Sequence, residues 1–92
     1  MSKALPAPTS GNSVTPQMRA VRQLVLMDRA RVALGGAEKL GDALGIGRRA
    51  VNLKLNAERS LYDAEILRAA DAVEARAKDL LALADDLRKS AQ

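Results

Sequence analysis

From Leu61 to Lys89 the chain contains no glycine and no proline. Nothing there stops a helix, and Ile66, Ala70, Val73, Ala77, Leu80, Ala84 and Leu87 follow an unbroken four-three spacing, the repeat that keeps apolar side chains on one seam. Leu67, Ala69, Leu81 and Leu83 widen that stripe, and Ser60 or Asp63 is placed to cap its start. A chain of 92 residues has too little other material to cover so long a helix. Its first part, to about Val73, is therefore expected to pack on a small domain. Along Val73, Ala77, Leu80, Leu81, Ala84 and Leu87 the expected partner is a second copy, forming a homodimer. The competing arrangement folds the helix back on the first helix of a monomer.

The segment before it, Glu38 to Leu55, reads as a helix, a tight turn and a second helix. Leu40 and Leu44 lie one turn apart on one face, and Gly45 stands where a helix commonly ends in the left-handed conformation. Val51 and Leu55 repeat the one-turn spacing. Gly41 is placed at the crossing point, where the missing side chain admits the second helix, and Ile46 can plug the corner. This is the packing logic of a helix-turn-helix. The outward face of its second helix, 47–56, carries Arg48, Arg49 and Asn52, with Lys54 and Asn56 near its end. Arginine matches the acceptor pair on the guanine edge and asparagine the donor and acceptor pair of adenine, both read in the major groove.

Leu40-Gly41-x-x-Leu44-Gly45-Ile46-Gly47-Arg48-x-x-Val51, followed by Asn56-Ala57-Glu58-Arg59 and Ser60 to Leu67, resembles the Cro and phage-repressor (Xre-like) type of helix-turn-helix transcriptional regulator. The resemblance spans roughly Met18 to Val73. It implies base-edge contacts from Arg48, Arg49 and Asn52 with Leu53 beside them, and phosphate contacts around Ala37, Lys39, Lys54, Asn56 and Arg59. Three positions depart from the family pattern. Ala37 stands where glutamine is frequent, and Gly47 where serine or threonine opens the reading helix. Lys54 replaces a small or apolar residue, so its stem is expected to pack with its ammonium in solvent.

Composition narrows the alternatives. With Tyr62 the only aromatic residue, the core must come from Leu, Val, Ile, Met and Ala, a palette suited to helices. The expected fold is all-α, a small helix-turn-helix domain of about four helices with a long C-terminal helix. There is no cysteine and no histidine, which excludes disulfides, the common zinc sites and histidine acid-base catalysis. No cofactor, small-molecule ligand or enzymatic activity is expected. The absence of a signal-like or membrane-spanning apolar run points to a soluble, cytoplasmic protein without a membrane partner.

Charge is divided unevenly along the chain. Met1 to Arg59 holds ten basic and four acidic residues, Ser60 to Gln92 five and seven, so the excess of positive charge lies in the half with the reading helix. Double-stranded DNA is the expected partner, through phosphate neutralisation.

The domain limits follow from the local signals. Residues 1–14, with Pro6, Pro8 and Gly11, read as a flexible arm, 15–73 as the DNA-binding domain and 74–92 as a helical extension for dimerisation. Thr15-Pro16 is a helix start. The first helix is expected to bury Val21, Leu24, Val25, Asp28 and Val32, show Arg19, Arg22, Arg29 and Arg31 outward, and end at Gly35-Gly36. The function these features imply is a sequence-specific regulator, most simply a repressor occupying an inverted-repeat operator as a homodimer. The alternatives are a protein-interaction module such as an antitoxin or adaptor, and a nucleoid-associated protein without sequence preference.

Overall fold

A computed structural model describes residues 15–92; the expected N-terminal arm lies outside the described residues. Within them the fold is all-helical, with α1 at Pro16–Leu34, α2 at Ala37–Leu44, α3 at Arg48–Leu55 and α4 at Asp63–Ser90. The first boundary is set by Thr15, whose hydroxyl accepts from the Met18 amide at 3.1 Å, with Pro16 preset for the opening turn. Gly35 and Gly36 end α1 at φ 104° and 130°. Both amides donate to the Arg31 carbonyl, at 3.2 and 2.8 Å. Only glycine takes two such residues in succession without strain, so the chain reverses in two residues.

The α2–α3 corner is built as the leucine spacing requires. Leu40, Gly41 and Leu44 are buried on α2 and Val51 on α3, with Ile46 wedged half-buried between them. Gly45 closes α2 at φ 77°, and the Ile46 amide donates to the Gly41 carbonyl at 2.9 Å. A Cβ on Gly41 would lie 2.6 Å from the Ile46 carbonyl oxygen and 3.3 Å from Val51 Cγ2. The corner is therefore closed to any larger residue.

The buried core is Met27, Leu40, Leu44, Val51 and Ala69, ringed by Ala30, Leu34, Ala37, Ile46, Leu55, Leu61 and Ile66. Here α1 departs from the sequence expectation. Val21, Val25 and Val32 are 60, 55 and 65 % exposed and Asp28 is exposed, whereas Met27 is 3 % exposed. α1 is apolar on two sides, and periodicity alone does not choose between them. The inward side is the one where unbranched Met27 and small Ala30 let α4 come close.

α4 runs unbroken through its 28 residues, about 42 Å at 1.5 Å per residue. Its start differs in detail from expectation, since neither Ser60 nor Asp63 caps it. The Tyr62 amide instead donates to the Glu65 carboxylate at 3.0 Å, the return half of a capping box. Glu65 and Ala69 are buried and Ile66, Ala72 and Val73 half-buried; beyond Val73 all but Ala84 are exposed. Ala69, assigned above to the flank, is thus the residue that enters the core, and Ala70 of the seam is exposed. The helix does not fold back, and the described residues span 60 × 38 × 17 Å.

Candidate nucleic-acid interface

α3 has one locked face and one open face. Val51 at 1 % exposure anchors the inner side, and Leu55 packs against the same core. The third anchor is Lys54, which corrects the expectation of a solvent-facing ammonium touching phosphate. The residue is 7 % exposed. Its Nζ lies 3.0 Å from Glu65 Oε1, donates to the Ser60 carbonyl at 2.7 Å and sits 4.7 Å from the centre of the Tyr62 ring. A lysine one turn beyond Val51 projects inward with it, and the buried Glu65 carboxylate then satisfies its charge. Lys54 is a strut between α3 and α4, and its ammonium is not available to DNA.

The opposite face holds Arg48, Arg49, Asn52 and Asn56, all exposed, at spacings of three and four that put them on one side of the helix. Among the described residues no carboxylate lies within ion-pair distance of Arg48 or Arg49. Gly47, at the N-cap, makes no side-chain hydrogen bond to the helix, leaving the first-turn amides open beside the two guanidinium groups. Leu53 is half-buried at the edge of this face. Its carbonyl accepts from the Glu58 amide at 2.8 Å while the Ala57 amide donates to the Lys54 carbonyl at 3.0 Å. That pairing is a Schellman-type stop, and Ala57 occupies its left-handed position at φ 64°.

The remaining expected contacts are scattered over neighbouring elements. Ala37 opens α2, half-buried on its side-chain side, and Gly36 before it provides no side-chain cap. Lys39 is exposed on the first turn of α2. Arg59 is exposed on the wall of a groove of about 380 Å³ shared with Ala20, Gln23 and Leu24 of α1. It pairs with neither Glu58 nor Asp63. On α1 only Arg31 is paired, with Asp28 at 2.9 Å. The α2 C-terminus is tied to α4 by Arg68, whose Nη1 donates to the Leu44 carbonyl at 3.4 Å.

Of the seam residues, Val73 and Ala77 line a second groove, of about 410 Å³, between α1 and α4. Leu80, Leu81 and Leu87 are exposed, Leu81 at 71 %, and Ala84 is half-buried. No helix among the described residues is long and apolar enough to cross a membrane. Comparison with protein-family models, curated proteins and solved structures finds no match to this chain.

The Lys54–Glu65 pair and the Glu65 cap are absent from the sequence reading. A lysine at an inward position and a glutamate three residues after Tyr62 were their only signals.

Proposed function

We propose that this chain is a sequence-specific DNA-binding regulator of the Cro and phage-repressor kind, acting as a homodimer on an inverted repeat. The observation that carries the reading is the pair of unpaired guanidinium groups and the amide of Asn52 on the open face of a helix fixed from behind. Arg48, Arg49 and Asn52 select bases in the major groove, while Lys39, Arg59 and the open amides of Ala37 position the subunit on phosphates. In this reading occupancy of the site by α3 is the mechanism, and repression the simplest outcome. The exposed leucines of α4 favour a second reading, a protein-interaction module docking through that helix.

Selection of bound sequences from a random duplex library at near-physiological salt tests the first reading. Enrichment of an inverted repeat supports it, and binding without enrichment supports a nucleoid role instead. On the enriched site Arg49→Ala is expected to weaken binding by about 1–3 kcal/mol and relax preference at one base pair. An equal loss on random DNA would assign Arg49 to the backbone.

A further inference from the structure

The two kinds of position along the α4 seam are not alike. Ala70, Ala77 and Ala84 recur every seven residues, and Val73, Leu80 and Leu87 recur every seven between them. In a parallel, in-register pair each layer meets its own kind, so empty alanine layers alternate with full leucine layers. Reversing one helix about a point between Lys78 and Asp79 sets Ala70 against the partner's Leu87, Val73 against the partner's Ala84 and Ala77 against the partner's Leu80. Every layer then holds one small and one large side chain.

Charge favours the same direction. Asp63 to Glu74 carries four acidic residues against Arg68 alone, and Ala75 to Lys89 four basic against three acidic. A parallel pair opposes the acidic halves to each other; an antiparallel pair opposes acidic to basic and cancels the helix dipoles. Sliding the antiparallel pair by one heptad toward the domains would centre it on Ala75 and set the apolar Leu87 against the partner's Asp63. The register above avoids that contact.

We propose that α4 pairs with α4 of a second copy in this antiparallel register, each helix end entering the α1–α4 groove of the other. The groove is lined by Leu26 and Ala30 of α1 and by Ile66, Ala69, Ala70 and Ala77 of α4, so its lining is mostly apolar, and the exposed side chain aligned with Ala70 is the partner's Leu87. The domain core meets α4 at Ala69, nine to ten residues from the pairing centre, so at 1.5 Å per residue the domains stand about 28 Å apart along the pair. That is close to the roughly 34 Å between successive major grooves. The inference rests on the homodimer part of the reading above and not on DNA binding.

The chain has no cysteine, so introduced thiols report the geometry without interference. Full-length Ala70→Cys and Leu87→Cys chains are mixed in a glutathione buffer, and sedimentation is measured on the unmodified chain. The expected result is a dimer in which the mixed disulfide forms and neither variant links to itself, because the two copies of position 87 would lie roughly 25 Å apart. Self-linking of Leu87→Cys in a dimer would establish parallel pairing and overturn the proposal while leaving the homodimer intact. A monomer at all concentrations would overturn both and give the groove to another protein. Ala77→Leu provides a check that needs no disulfide. It is expected to weaken dimerisation about tenfold or more, by setting large against large, and tighter dimerisation would point to an empty parallel layer.

Discussion

The α2–α3 corner and the last part of α4 are both helical and both studded with leucine, yet they are held in opposite ways. In the corner two eight-residue helices, each too short to persist alone, are fixed by Leu40, Leu44 and Val51 and by the closeness that Gly41 allows. Past Val73, α4 has helix-favouring residues and end charges that suit its dipole, with Arg88 and Lys89 in its last turn and Lys89 paired to Asp85 at 3.0 Å. Almost none of its apolar surface is covered. One segment owes its helicity to packing and the other to propensity. A segment of the second kind keeps its leucines free for something else.

This contrast can be broken most sharply at the strut behind the reading helix. Lys54→Ala is expected to destabilise the fold by about 3–5 kcal/mol, because it strands the Glu65 carboxylate in the interior. Urea unfolding measures this, and a loss below about 1 kcal/mol would deny the pair its structural role. Gly41→Ala comes next, at about 1–3 kcal/mol from forced separation of α2 and α3, read as a fall in melting temperature. Ala57→Gly should act in the other direction. Relieving a left-handed alanine is expected to stabilise by about 0.5–1 kcal/mol, and the same unfolding experiment would show a raised midpoint. The smallest effect belongs to the free helix. Leu83→Ser in the dilute, monomeric chain should change stability by no more than about 0.5 kcal/mol; a larger loss would mean that the tail packs on its own domain.

The sequence reveals these two regions unequally. Leu40, Gly41, Leu44, Gly45 and Ile46 lie within seven residues of one another, so their spacing alone declares the corner, as Thr15-Pro16 declares the start of α1. A helical α4 is legible too, because no residue from Leu61 to Lys89 breaks a helix, whereas the spacing leaves open whether it is one helix or two and the structure makes it one. What escaped depended on distant partners. Met27 displaces the valines of α1 only because α4 passes on that side, and Ala69 rather than Ala70 turns inward for the same reason. Lys54 finds its charge partner eleven residues later, across a turn. The open face of α3 could be read from spacing, but the strut that fixes its back could not.

Tyr62, 62 % exposed, stands at the joint between α3 and α4 with the Lys54 ammonium 4.7 Å from its ring centre. As the only aromatic residue in the chain, it is also the sole source of near-ultraviolet absorption and intrinsic emission from a side chain. The protein thus has a single built-in optical probe, located where the reading helix is coupled to the long helix. A shift of one helix against the other at that joint would register in one tyrosine band, with no second chromophore to confuse it.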